Sequence, residues 1–122
     1  MSRSSQRKGA GGERELAALL QGHGYDIERG GSLSYGTVPD LTGLSGIHIE
    51  VKRVEKLNIV EAMAQAVRDA ERFHDGAPTV FHRRNRQPWL VTMRLEDWLR
   101  MYAAATKRHQ ECIKTAEKID LP

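Results

Sequence analysis

The residues of this chain best suited to chemistry lie in one short segment. In Ile47–Lys52, written IHIEVK, apolar and polar residues alternate. Ile47, Ile49 and Val51 therefore share one face of a strand, and His48, Glu50 and Lys52 share the other. Glu50 and Lys52 project together, and Asp40 stands in a second short strand just upstream. Two carboxylates on neighbouring strands suit a hard divalent cation such as Mg²⁺, which takes oxygen ligands and keeps several waters. A lysine beside them can polarise a water or steady charge on a phosphate. Metal-assisted phosphodiester hydrolysis needs these parts: ligands for an ion that acidifies a water, and cations that neutralise charge developing at phosphorus. An E-x-K tripeptide alone is uninformative, because an ion pair on a solvated strand has the same spelling. His48 reads as an ordinary polar-face histidine, with contact to a substrate phosphate as the alternative. His23, His74 and His109 sit in polar or terminal settings and are assigned no role.

The elements that must position these groups can be read from periodicity. A helix runs roughly from Glu13 to Gln21, with Leu16, Leu19 and Leu20 on one side, and Gly22 and Gly24 end it. Tyr25–Arg29 reads as a short strand, GGSLSYGTVP as a loop, and Pro39-Asp40-Leu41 as the start of a second strand. Asn58 is a good N-cap for the next helix, with Glu61 three residues on. Ile59, Ala62, Met63, Ala66, Val67, Ala70 and Phe73 form its apolar stripe, with Gln65 on the shoulder; Gly76 and Pro78 stop it. Thr79–His82 and Trp89–Met93 are two strands joined by the basic loop RRNRQP. A last helix runs from Leu95 to about Ala105, with Leu95, Trp98, Leu99 and Tyr102 expected to face inward. Trp89 and Trp98 fall on apolar periodic positions and read as core. The order α-β-β-β-α-β-β-α predicts one α/β domain with a central sheet covered by helices. Residues 1–8 are expected to be a flexible basic arm, 9–105 the domain, and 106–122 a polar tail with a weak helical face at Cys112, Ala116 and Ile119.

Composition narrows the function classes. The 122 residues are 39% hydrophobic and 29% charged, ordinary for a globular domain. No apolar run approaches the roughly 20 residues of a membrane helix, and the polar N-terminus has no signal-peptide core. The single Cys112 has no internal disulfide partner and no zinc-site spacing, so a reducing cytoplasm is expected. The net charge of +3 is mild, but the bases cluster. Arg3, Arg7, Lys8 and Arg14 stand in the first fourteen residues against Glu13 alone, and Arg83, Arg84, Arg86 and Arg94 stand between His82 and Arg94 with no acid. Two separate basic clusters point to a polyanion partner, with Arg83, Arg84 and Arg86 on the hairpin loop and Arg7 and Lys8 on the arm as candidate DNA-backbone contacts.

Pro39-Asp40 followed by Glu50-Val51-Lys52 resembles the PD-(D/E)xK nuclease signature. The segment from Arg7 to Leu16, RKGAGGEREL, resembles the opening of the archaeal-type Holliday-junction resolvases and their small phage-encoded relatives. The likeness covers residues 7–75 well and 76–105 loosely, and finds no counterpart for 106–122. It implies a restriction-endonuclease-like fold with a central mixed sheet. It also implies that Glu13, with Glu15 as fallback, joins Asp40 and Glu50 in holding Mg²⁺, with Mn²⁺ as an alternative ion. Lys52 would activate or orient the attacking water. A serine of the loop before Asp40, Ser32 or Ser34, and the helix glutamine Gln65 complete the implied site. The implied partner is branched DNA, cut by a homodimer in a bacterial, archaeal or phage-infected cell, with no membrane. Two other readings stay open: a nuclease of this fold acting on duplex, flap or end substrates, and a non-catalytic DNA-binding subunit that kept the fold.

Overall fold

A computed structural model describes residues 3–30 and 38–120, with side chains from Gly11 to Gly30 and from Val38 to Ala116. The elements follow the expected order: α1 (Arg3–Gly22), β1 (Glu28–Arg29), β2 (Leu41–Thr42), β3 (Ile47–Arg53), α2 (Ile59–Phe73), β4 (Ala77–Arg83), β5 (Leu90–Met93) and α3 (Leu95–Asp120). The main sheet has the strand order β3-β4-β5, with β3 parallel to β4 and β5 antiparallel to it. Parallel strands need a crossover, and α2 supplies it. β1 and β2 form a separate antiparallel ribbon beside α1 and β3.

Helices cover both faces of the main sheet, as a restriction-endonuclease-like α/β fold requires. Odd-numbered residues of β3 meet α1: Ile49 packs with Leu16, Ala17, Ile27, Leu41 and Phe81 in the larger core, and Val51 joins from the margin. On the other face Val80 packs against Ala62 and Ala66 of α2. Ala62, Ala66 and Ala70 are the buried residues of α2. Their small side chains at four-residue spacing let the helix axis lie close to the strands. Asn58 caps α2 by accepting a hydrogen bond from the Glu61 amide. At the other end His74 takes the left-handed conformation (φ 50°) and its amide donates to the Ala70 carbonyl. Gly76 follows at φ 134°, where a Cβ would strike the backbone of Gly46 and Ile47. The start of β3 and the entry to β4 can pair only because that position lacks a side chain.

Several expectations need correction. The helical backbone of α1 begins at Arg3, well before Glu13, so most of the expected arm is helical backbone. The glycines and polar residues there break the apolar periodicity on which the later start rested. The last helix is continuous to Asp120 rather than ending near Ala105. Its apolar residues do not face inward. Leu95 is 71% exposed and Trp98 47% exposed, and Leu99 and Tyr102 are exposed as well. Helical spacing shows that these residues share a stripe, but it does not say what the stripe packs against. Trp89, by contrast, does pack at the margin of the larger core. Among the described residues no helix is long and apolar enough to cross a membrane.

Candidate active site

The even-numbered residues of β3 face α2, and a simple commensurability aligns them. Four residues of helix rise about 6 Å, and two residues of strand rise about 6.6 Å. As α2 runs back past β3, steps of four along the helix therefore match steps of two along the strand. Gln65 meets Lys52, Asp69 meets Glu50, and Phe73 meets His48. Lys52 Nζ donates to Gln65 Oε1 at 2.8 Å, which fixes the ammonium on the helix side of the sheet. The Glu50 carboxylate is buried, with the residue 7% exposed.

The other carboxylates arrive from outside the main sheet. The β1–β2 ribbon presents Asp40, held where the Gly30 amide donates to its carbonyl at 2.9 Å. α1 brings Glu13. It crosses β3 at Gly12, where an added Cβ would lie 2.5 Å from Arg53 Cβ, so glycine permits the close approach that sets the next residue beside the strand. Of the charged groups around it, Asp40 acts most strongly on the Glu13 carboxyl. Burial, then the charges of Asp40 and Glu50, push the Glu13 carboxyl up to about 7, against an opposing pull from Arg29. Like charges that act on one another in this way disfavour full ionisation, and a bound dication would relieve that. The donor set is all oxygen and carries excess negative charge, which fits a hard dication.

Glu15, the fallback for Glu13, does something else. It accepts from Arg53 Nε at 3.3 Å, from Arg83 Nη1, and from the Trp89 indole at 3.2 Å. Burial alone would raise its pKa, but the two guanidiniums hold it below the usual carboxylate value. Glu15 thus ties α1 to β3 and β4 on the face away from Lys52. Arg83 is engaged in that tie, while Arg84 and Arg86 are exposed at the hairpin tip. Ser32 and Ser34, and the side chains of Arg7 and Lys8, lie outside the described residues.

His48 is not an ordinary surface histidine, being only 3% exposed. Its Nδ1 lies 2.9 Å from both carboxylate oxygens of Asp75, and its ring stacks near Phe73. Burial would lower its pKa, yet the neighbouring Glu50 and Asp75 carboxylates outweigh this and raise it. Asp69 and Asp75 escaped the sequence reading. Asp69 had a usable signal, since it stands four residues after Gln65 on the same helix shoulder. A cavity of about 100 Å³ opens here, lined by Asp40, His48, Glu50, Asp69, Arg72 and Phe73 among others.

Two larger surface hollows, of about 480 and 570 Å³, contain no comparable cluster of acids. They adjoin one another at Val54, Lys56 and Leu57 and lead from Lys52 and Arg68 to Arg83 and Arg84. Lys56 and Arg68 also went unread in the sequence, because neither belongs to a run of bases.

No curated protein sequence matches this chain. The profile described as archaeal Holliday junction resolvase (hjc) matches residues 4–121, including the tail for which the motifs gave no counterpart. The chain belongs to the archaeal Holliday junction resolvase family, within the PD-(D/E)xK nuclease superfamily.

Proposed function

We propose that the protein is a Mg²⁺-dependent endonuclease that nicks branched DNA at four-way junctions, with Mn²⁺ able to replace Mg²⁺. What supports this reading is the electrostatic influence of Asp40 from the ribbon and Glu50 from β3 on Glu13 from α1, with Lys52 on the same strand face as Glu50. Glu13, Asp40 and Glu50 would hold the ion. When bound, it would supply Lewis acidity and offset negative charge at the scissile phosphate. Lys52 orients the attacking water and offers a cation to the phosphate. Gln65 acts on Lys52 alone, holding its ammonium in place through the 2.8 Å hydrogen bond. Ser32 is the loop serine proposed to assist, with Ser34 the alternative. The decisive assay compares labelled four-way junction, linear duplex and flap DNA, each with Mg²⁺ and with EDTA. The junction is expected to be cut at least about tenfold faster than the others, and only with the ion. Equal cutting of all three would replace the junction by a general duplex substrate.

The adjoining hollows support a path for the DNA backbone from Lys52 past Arg68 and Lys56 to Arg84. Arg86, Arg7 and Lys8 would add further phosphate contacts, and Arg83 would flank the path. Each phosphate contact on duplex DNA contributes roughly 0.9 to the slope of log K against log salt. Lys56→Ala with Arg84→Ala should therefore lower that slope by about 2 and weaken binding to all sequences alike, as measured by fluorescence anisotropy across a salt series. An unchanged slope would remove this path.

A homodimer completes the proposal, because a four-way junction has near two-fold symmetry and so does a C2 pair. Support comes from β5 and α3, which expose Leu90, Val91, Leu95, Trp98, Leu99 and Tyr102. Trp98 and Tyr102 stack with ring centres 5.2 Å apart, forming a flat aromatic surface. A long helix gains most of its stability from packing an apolar face, and the apolar face that α3 leaves exposed supports an interaction there. Leu99→Asp with Trp98→Ala should convert the protein to monomers in light scattering. A dimer that survives both changes would place its interface elsewhere.

A further inference from the structure

Beside the proposed catalytic carboxylates, we infer that His48, Glu50 and Asp69 form a second cation site that takes a first-row transition dication and discriminates against Mg²⁺. The ligand atoms of these three residues all lie within 4.8 Å of one another. Histidine and carboxylates bind such ions at roughly 2.0–2.2 Å, so rotation of the two carboxylates closes the set around one ion. The independent observation is His48 Nε2. This nitrogen is fully buried and no described group hydrogen-bonds it. It points toward Glu50 Oε1, but at 3.9 Å the two are beyond hydrogen-bond reach. Leaving a buried polar nitrogen without a partner is costly; an ion between them removes that cost.

The far side of the ring is already arranged for this role. Asp75 holds Nδ1 through both carboxylate oxygens at 2.9 Å, which places a proton on Nδ1, so that in the neutral ring the Nε2 lone pair faces Glu50 and Asp69. A carboxylate behind a ligating histidine fixes its tautomer and raises its basicity. Phe73 stacks on the imidazole at 6.4 Å with an interplanar angle of 16° and restricts rotation of the ring. Imidazole nitrogen suits Mn²⁺, Co²⁺ or Zn²⁺, whereas Mg²⁺ prefers oxygen donors and water. The two sites meet at Glu50, but the second draws its remaining ligands from β3 and α2 rather than from α1 and the ribbon. Its occupancy does not depend on whether the chain cuts junctions.

The test uses the full chain, stripped of metal and titrated with Co²⁺ in excess Mg²⁺, read by visible absorption. One Co²⁺ should remain bound against Mg²⁺. His48→Gln and Asp69→Asn should each weaken it at least about tenfold, the scale expected for a disturbed metal site. Glu13→Gln should leave it in place. Asp69 is only half-buried, so that variant still reports if His48→Gln disturbs folding. The three-ligand site is overturned if Mg²⁺ displaces Co²⁺ freely, or if either the His48 or the Asp69 variant binds Co²⁺ as the wild type does. Nuclease assays are separate, so failure of the resolvase reading and failure of this site give different results.

Discussion

Asp40→Asn and Glu50→Gln are each expected to reduce junction cleavage by a factor on the order of 10³ or more, while junction binding changes little. Loss of one well-placed electrostatic group commonly costs 10²–10³ in rate. Here each change also removes a proposed ligand of the ion that the reaction needs. Binding should survive because the cationic path runs over Lys56, Arg68 and Arg84, away from the carboxylates. Glu50→Gln should be the more severe of the two. Glu50 is buried between β3 and α2, whereas Asp40 is exposed on the ribbon and a water can partly replace it. Glu50→Gln should also weaken the Co²⁺ site, and Asp40→Asn should not. Single-turnover cleavage and anisotropy on the same junction check both halves of the expectation. Cleavage within tenfold of wild type in both variants would remove these carboxylates from the chemistry.

The legibility of this site in the sequence followed from how local each signal was. Alternation in IHIEVK placed Glu50 and Lys52 on one face without reference to the rest of the fold. The cap at Asn58 and the alanine-rich stripe likewise defined α2 from local spacing. Other features depended on what meets what. Gln65 could be set on the helix shoulder, but its hydrogen bond to Lys52 exists because helix and strand repeats match across their interface. Asp69 stands one turn beyond Gln65 on the same helix shoulder and could have been read there, whereas Asp75 follows the helix and meets His48 only through the fold. The stripe on α3 was legible as a stripe, yet its burial was misjudged, since a single chain's periodicity cannot separate a face packed in the core from one left exposed. The same limit left Glu13 and Glu15 undecided. They are two residues apart on α1, about 200° around the helix, and only the packing of α1 on β3 shows which one turns toward Asp40.

That choice yields the second large effect, a dissociation between neighbours. Glu13→Gln should remove cleavage, by roughly 10²–10³ in rate, and leave the fold intact. Glu15→Gln should leave the chemical step largely in place and destabilise the protein. It weakens a carboxylate that accepts from Arg53, Arg83 and Trp89. Charged hydrogen bonds of this kind contribute about 1.5–3 kcal/mol when buried. Partial exposure of all the partners reduces that, so a loss of about 1–2 kcal/mol is expected, or a fall of roughly 3–10 °C in Tm. The two carboxyls should also leave opposite signatures in pH. Folding raises the Glu13 pKa from 4.5 to about 7, so the metal-free native state keeps a proton that the unfolded chain has lost. Its contribution to stability is present at low pH and disappears as pH climbs through about 7, and Glu13→Gln should flatten that decline. Dication binding should strengthen over the same interval, because the ion displaces that proton. Folding lowers the Glu15 pKa, so its stabilisation is present above the ordinary value of 4.5 and fades as pH falls through the depressed one. The Tm gap between wild type and Glu15→Gln should therefore close in acid, while that between wild type and Glu13→Gln closes or reverses as pH rises. If Glu15→Gln, rather than Glu13→Gln, removes cleavage without loss of Tm, the roles assigned to the two glutamates are exchanged.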